Sequence, residues 1–184
     1  MFAFIKSNFR WIAGGFMLTY FSSFGQTYFI SASVSEWQAA FGLSHGEFGR
    51  LYMFATLASA ACLPFMGKLV DVIPPHRMLA VVIPVLAGAA ALAGYASSVA
   101  VLATAIFLLR LFGQGMMTHI ALTATARWFV AERGRAVSLV VLGHQGAEAT
   151  IPIALMALMI AYGYRTGWIV AATALLLVGL PFAY

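Results

Sequence analysis

The chain has 184 residues, of which 63% are hydrophobic and only 8% are charged. Soluble domains carry about 25% charged residues, and a fold of this length could not hide so much apolar surface from water, so a water-soluble protein is excluded. The net charge is +5, but the basic residues lie in short gaps between apolar runs rather than in one patch, which argues against binding to nucleic acid.

The apolar runs predict an all-α fold, a single polytopic bundle of six transmembrane helices over residues 1–184. A transmembrane helix needs about 20 mostly apolar residues, and the pair Pro74-Pro75 separates the second run from the third because proline does not continue a helix there. The six predicted segments cover approximately residues 11–34, 48–70, 78–96, 99–128, 136–162 and 168–184.

The distribution of Lys and Arg predicts the orientation of this bundle. Seven of the ten lie on the side of the N-terminus, two lie on the other side, and Arg110 lies within the fourth segment. Because positive side chains are retained on the cytoplasmic side, we expect a multi-pass protein of the plasma (inner) membrane with a cytoplasmic N-terminus. The seven residues on that side are Lys6, Arg10, Lys68, Arg77, Arg127, Arg133 and Arg135.

The loop between the second and third segments begins with Gly67, has Asp71 four residues later, and ends with the basic pair His76-Arg77. This pattern resembles the signature loop of the major facilitator superfamily, although Val72 stands where that family has an Arg. The resemblance implies a gating loop of Gly67, Asp71 and Arg77 that contacts the second half of a transporter. We expect that half to be absent here, which would leave Asp71 without its partner.

The fourth segment contains Arg110-Leu111-Phe112-Gly113-Gln114-Gly115, which resembles the family's fourth-helix pattern of an Arg followed by Gln and Gly. The resemblance covers nearly the whole chain as the N-terminal half of a twelve-helix transporter. It implies that the first, fourth and fifth helices line a central cavity. The uncharged polar candidates on these helices are Gln26, Gln114 and Gln145.

Two charges lie deep within predicted helices. Arg110 is about 25 Å above the charged loop after the fourth segment, and Glu148 is about 20 Å above the same loop on the fifth. A charge at the centre of a membrane helix costs about 2.5–3.5 kcal/mol on insertion scales, so neither is expected to face lipid. Either Arg110 binds a substrate anion while Glu148 takes up a proton, or the two form a buried structural ion pair.

His144 lies four residues before Glu148, on the same face of the fifth helix, and could relay protons with it. Two ligands at this spacing do not make a metal site without a third, and His119 lies about 14 Å away along the fourth helix from Arg110. We therefore predict no metal and no cofactor. The sequence also lacks an exposed Ser motif with a facing His, so it does not predict an enzyme.

The sequence thus predicts secondary active transport of a small solute, with a monocarboxylate or similar organic anion as the substrate hypothesis and proton coupling as a further hypothesis; uniport, symport and antiport all stay open. The expected partners are the solute, the lipid bilayer, and either the missing C-terminal half or another copy of the chain, with no nucleic acid. The alternative is a truncated or non-transporting integral membrane protein, because one half cannot alternate access alone.

Overall fold

The computed structural model describes residues 2–181, and every regular element within them is helical. The all-α bundle predicted from the sequence is confirmed. Two 3₁₀ turns, at Ser22–Gly25 and Lys68–Asp71, and two π-helical turns, at Leu109–Met117 and Leu175–Gly179, interrupt or extend the α-helices. The α-helices are α1 (Phe2–Ser7), α2 (Phe9–Phe21), α3 (Thr27–Ser31), α4 (Val34–Phe41), α5 (His45–Gly67), α6 (Pro75–Gly94), α7 (Val99–Leu108), α8 (Thr118–Trp128), α9 (Arg133–Tyr162) and α10 (Tyr164–Ala174).

Four helices in the described part of the chain are long and apolar enough to cross a membrane. A shorter apolar helix, Tyr164–Gly179, follows them. This helix begins at Tyr164, four residues before the predicted start of the sixth segment at residue 168. The last residues of that segment, 182–184, lie outside the described residues. The four long helices are His45–Asp71, Pro75–Gly94, Val99–Trp128 and Arg133–Tyr162.

The first predicted segment, 11–34, is not one continuous helix, which corrects the expectation from its apolar composition. α2 ends at Phe21, the 3₁₀ turn follows, and Gln26 is extended, with φ −85° and ψ 157°, before α3 begins. The cause is a contact distant in sequence. A Cβ at Gly25 would lie only 2.1 Å from the carbonyl oxygen of Leu109. The backbone at this break therefore packs directly against the helical span Val99–Trp128.

Local sequence explains where α5 and α6 begin. The Ser44 hydroxyl accepts from the Glu47 backbone N–H at 3.2 Å, and the Glu47 carboxylate accepts from the Ser44 N–H at 2.9 Å. This reciprocal capping box satisfies two otherwise unpaired donors at the start of α5. Pro75 occupies the first turn of α6, where its missing N–H costs nothing.

The helices differ sharply in how much of their apolar surface the bundle covers. Within their most apolar windows, 56% of α6 is buried but only 17% of α5 and 17% of α9. α5 and α9 therefore form the open faces of the bundle. Their large exposed apolar side chains are Met53, Phe54, Leu57 and Phe65 on α5, and Leu142, Ile153, Met156 and Ile160 on α9.

α2 and α9 pack closely because small residues let the two backbones approach. A Cβ at Gly143 would lie 2.1 Å from the Phe16 carbonyl oxygen. The Thr19 hydroxyl lies 2.5 Å from the carbonyl oxygen of Val140. This contact fixes the face of α9 that is turned inward, and so determines which of its polar residues face the open side.

The charged loops and the start of α2 lie together at one end of the bundle. We call this the basic end and define it by Lys6, Arg10, Lys68, Arg77, Arg127, Arg133 and Arg135.

Candidate functional site

Arg110 lies in the π-helical turn Leu109–Met117 and is half-buried. Its Nη1 donates to the Thr27 hydroxyl at 3.2 Å and, at the long distance of 3.4 Å, to the carbonyl oxygen of Gly25. Its guanidinium lies over the Tyr52 ring, 5.5 Å from the centroid, and the Tyr52 hydroxyl is 2.9 Å from the Thr27 hydroxyl. The Arg110 side chain thus links the helical span Val99–Trp128, on which it lies, to α5 and to the break after α2.

Two glycines allow this arrangement. A Cβ at Gly113 would lie 2.7 Å from the Cα of Gly25, and one at Gly25 would lie 2.7 Å from the backbone nitrogen of Gln114. Only glycine permits backbones to approach so closely. π-helical turns are often found at functional sites. Here the turn contains both Arg110 and Gly113, the glycine that contacts Gly25 at the break after α2.

One edge of the Arg110 guanidinium is unsatisfied. Nε is buried and has no hydrogen-bond acceptor, and Nη2 also has none among residues 2–181. These two nitrogens form the edge that binds a carboxylate through two parallel hydrogen bonds. The protein therefore binds the Arg110 guanidinium through hydrogen bonds from Nη1 alone. The N–H groups of Nε and Nη2 make no hydrogen bond within the described residues.

Glu148 does not neutralise Arg110. Its side chain is exposed, and the two residues form no ion pair in the described structure. The alternative of a mutually neutralised, buried ion pair is therefore wrong for this structure. The reason is the α2–α9 contact, which turns Gly143 and Ala147 inward and leaves Glu148 on the flank of α9.

The other predicted residues on α9 divide between two environments. His144 is half-buried, and its ring centroid is 6.2 Å from that of Tyr28. Gln145 is exposed. One turn beyond Gly146, the Thr150 hydroxyl is 2.8 Å from the Tyr20 hydroxyl. The first helix therefore places its tyrosines beside the polar flank of α9.

The two remaining glutamines lie on either side of the glycine contact. Gln26 is the extended residue at the break in the first helix, and Gln114 lies in the π-helical turn; both are half-buried. Neither donates to or accepts from Arg110 in the described structure. The sequence did not single out Tyr52, because an aromatic residue on a helix with few polar residues gives no signal of a site.

The predicted gating loop forms a 3₁₀ turn, Lys68–Asp71, after Gly67. The Asp71 carboxylate accepts a hydrogen bond from Nη2 of Arg127 in an ion pair, and Nη1 of Arg127 donates to the Val70 carbonyl oxygen at 2.8 Å. Asp71 thus has an ionic partner within this half, at the end of α8, while its contact with a second half stays a prediction. Arg77 is exposed near the start of α6.

Within residues 2–181, no three His, Cys, Asp or Glu side chains are grouped so that they could hold a metal ion. His119 lies instead near the gating loop, where a Cβ at Gly67 would be 3.4 Å from its Nε2.

These features define a class of protein: a polytopic helical membrane protein with two open helix faces and an intramembrane Arg held by the first, second and fourth spans. The sequence model of the Major Facilitator Superfamily matches residues 16–184, so the chain belongs to this superfamily of secondary transporters, whose members are typically not enzymes. The resemblance inferred from the sequence motifs is confirmed. No curated protein and no solved structure matches the chain.

Proposed function

We propose that this chain is one half of a proton-coupled transporter for a small organic anion such as a monocarboxylate, with Arg110 as the residue that binds the carboxylate. The observation that carries the proposal is the unsatisfied edge of a guanidinium without an ionic partner in the described structure. A cation within a membrane protein is costly unless something pairs with it. A substrate carboxylate on Nη2, and on Nε after a shift that uncovers it, would supply that pairing.

The surroundings of Arg110 favour a small anion with a short apolar part. The Tyr52 ring supplies apolar surface beside the guanidinium, while the Thr27 hydroxyl is held by Arg110 and Tyr52. Gln26 and Gln114 add amide groups on either side of the glycine contact, which suits a polar substituent beside the carboxylate.

The position of Glu148 supports a role in proton coupling. Successive helical residues are about 100° apart, so Glu148 lies about 120° around α9 from the apolar line of Leu142 and Ile160, on the side of His144. An ionised carboxylate facing hydrocarbon is costly, so this flank requires water, a bound proton or a partner. Glu148 and His144 are the groups that we propose to exchange a proton as the anion binds and leaves.

We further propose that the open faces of α5 and α9 are completed by a second half or by another copy of the chain. The family forms its substrate site between two such halves, and only 17% of the apolar window of each helix is covered within this chain. The Lys and Arg bias supports an orientation with the basic end in the cytoplasm and a place in the plasma (inner) membrane.

The test is uptake of a radiolabelled monocarboxylate by proteoliposomes under an imposed pH gradient. Arg110→Lys keeps the charge but loses the planar fork, so we expect uptake to fall at least tenfold while membrane insertion is unchanged. Arg165→Lys is the matched control, because Arg165 lies at the other end, where its guanidinium lies over the rings of Tyr95 and Tyr164. Equal uptake by all three proteins would refute the role of Arg110.

The same assay decides whether the chain acts alone. Uptake by the purified chain would indicate an oligomer of identical halves, and uptake only after addition of a second half would indicate a divided transporter. Absence of uptake under both conditions, with correct insertion, would favour the alternative of a non-transporting membrane protein.

A further inference from the structure

The short helix α3 lies between the residue that we propose for the anion and those that we propose for the proton. The hydroxyl of its first residue, Thr27, accepts from Nη1 of Arg110 at 3.2 Å. The ring of its second residue, Tyr28, lies on the side of α9, with its centroid 6.2 Å from that of His144. Two consecutive side chains of one helix therefore reach the two parts of the site.

The Tyr28 hydroxyl is buried and forms no hydrogen bond among the described residues. It lies close to the Ser23 hydroxyl, which is also buried without a partner in this part of the chain. Residues 2–181 alone are enough to bury both hydroxyls. Buried polar groups are nearly always hydrogen-bonded, so a hydroxyl without a partner indicates a contact that forms in another state of the protein.

Glu148 is the charged group that acts on the Tyr28 hydroxyl. The other titratable side chains nearby are His144 on α9 and Tyr20 on α2, and the Tyr20 hydroxyl is already 2.8 Å from that of Thr150. A hydrogen bond to an ionised carboxylate is about twice as strong as one between neutral groups. The Tyr28 hydroxyl is therefore attracted to Glu148 when the carboxylate is ionised and released when it is protonated.

The surroundings of α3 allow this attraction to move it. The helix has five residues, Gln26 before it is extended, and a turn at residues 32–33 follows it. Phe29 and Ile30 are each 1% exposed, and their burial fixes the centre of the helix. A small rotation about this centre therefore moves the first two side chains of α3 together.

We propose that Tyr28 is the positioning residue that links proton binding to anion binding, an inference that rests on the proposed function and deepens it. When Glu148 is ionised, the Tyr28 hydroxyl donates to its carboxylate, and α3 withdraws Thr27 from Arg110. When Glu148 is protonated, Tyr28 makes no such bond, as in this structure, and Thr27 orients the guanidinium for the anion. A proton on Glu148 thus strengthens anion binding, and the anion strengthens proton binding by the same factor.

Binding of lactate, a monocarboxylate probe, tests this inference by titration calorimetry in mildly acidic and in neutral buffer. The purified chain is used alone, or with a second half where uptake requires one. The unaltered protein should bind lactate about tenfold more tightly in the acidic buffer. Tyr28→Phe should bind it in both buffers as tightly as the unaltered protein does in acid, because α3 is no longer attracted to Glu148. A gain of affinity in neutral buffer does not result from misfolding.

Matched variants identify the groups involved. Tyr20→Phe removes the neighbouring tyrosine hydroxyl, which is already paired with that of Thr150, and should keep the pH dependence. Glu148→Gln has no charge to attract Tyr28 and should bind lactate tightly in both buffers. The thermal midpoint of Tyr28→Phe should not fall, because the hydroxyl that this variant loses has no partner in the described residues.

The outcomes separate this inference from the proposed function. No binding of lactate, or binding that Arg110→Lys leaves unchanged, would contradict both. Binding that depends on Arg110 but changes with pH equally in the unaltered protein and in Tyr28→Phe would overturn the role of Tyr28 alone. A lower thermal midpoint of Tyr28→Phe would do the same, because it would give the hydroxyl a structural partner. Loss of the pH dependence in His144→Gln but not in Glu148→Gln would also overturn it.

Discussion

Two regions of the bundle treat their buried polar groups in opposite ways. Around Trp37 and Trp168, whose ring centroids are 5.4 Å apart, each indole N–H has an acceptor. Trp168 donates to the Ser33 hydroxyl at 2.9 Å, and Trp37 donates to the Ala93 carbonyl oxygen at 3.2 Å. Around Arg110, by contrast, Nε is buried without an acceptor.

The buried side-chain groups without a partner in the described residues lie in the first, second and fourth predicted segments: Ser23, Tyr28, Thr56, Arg110 and Thr118. Thr56 and Thr118 have buried hydroxyls without a partner in the described residues, and Thr56 lies one turn from Tyr52, on the same face of α5. A buried polar group without a partner typically costs about 1–3 kcal/mol. In the tryptophan cluster both indole N–H groups are hydrogen-bonded, which favours stability. In the Arg110 region buried polar groups lack partners, and a bound ligand can supply them.

The largest effect is expected from a substitution that forces apart the two backbone segments at the Arg110 region, Gly25 and residues 109–114. In Gly25→Ala the new methyl group would meet the Leu109 carbonyl oxygen at 2.1 Å, and we expect a loss of about 3 kcal/mol or more in stability because the backbone cannot shift cheaply. Gly88→Ala is the matched control, since nothing lies within 4 Å of a Cβ there. The measurement is the thermal midpoint of the purified proteins in detergent. Equal midpoints would contradict the close backbone contact.

The tryptophan cluster is tested by Trp168→Phe. This change removes the donor to Ser33, leaves a buried hydroxyl without its partner and shrinks a side chain that is 1% exposed. We expect a loss of about 2–3 kcal/mol in stability with no change in the apparent affinity for substrate. Trp128→Phe, at a position that is 61% exposed, should change the thermal midpoint little. A changed KM in Trp168→Phe would argue that the two regions are coupled.

The Arg110 region should show the reverse response. Tyr52→Phe keeps the ring under the guanidinium but removes the hydroxyl that is 2.9 Å from Thr27. We expect the KM for uptake of the anion to rise about two- to fivefold, the effect of one neutral hydrogen bond of about 0.5–1 kcal/mol, with a nearly unchanged thermal midpoint. Tyr95→Phe, at an exposed tyrosine near Arg165, is the control. A fall in stability without a change in KM would show that the Tyr52 hydroxyl serves packing alone.

The sequence predicts the properties that depend on neighbouring residues. Apolar runs of sufficient length predict the bundle, and the helical stretch Val99–Trp128 begins and ends at the residues that the sequence indicates. Arg110 could be selected because the cost of a charge in a membrane helix is a local property. Its role as an anion site stays a prediction.

Contacts between residues distant in sequence were not predictable in the same way. The break at Ser22–Gly25 depends on Gly113, which no periodicity in the first helix reveals. The exposure of Glu148 depends on which face of α9 meets α2. The ion pair of Asp71 with Arg127 joins residues 56 positions apart. Each requires the packing of helices, which the pattern of one sequence does not specify.

The smallest effect is expected at the gating loop, where the ion pair is exposed. The side chains of Arg127 and Asp71 are 52% and 62% exposed, and exposed pairs contribute about 0.2–1 kcal/mol. Asp71→Asn should therefore lower the thermal midpoint slightly, and less so at high salt. Glu132→Gln, which removes the exposed pair with Arg135 at 3.0 Å, is the control for the loss of any carboxylate at this end.

A double-mutant cycle of Asp71→Asn and Arg127→Gln, measured by uptake, then separates two roles for Asp71. It shows whether Asp71 interacts with Arg127 alone or also with a second half of the transporter. If the two residues act only on each other, the double variant should transport as well as either single variant, because the second change removes an interaction already lost. If Asp71 also contacts a second half, Asp71→Asn should reduce uptake further in the Arg127→Gln background. Additive losses of uptake with unchanged thermal midpoints would therefore assign Asp71 to the movement between halves rather than to the stability of this one.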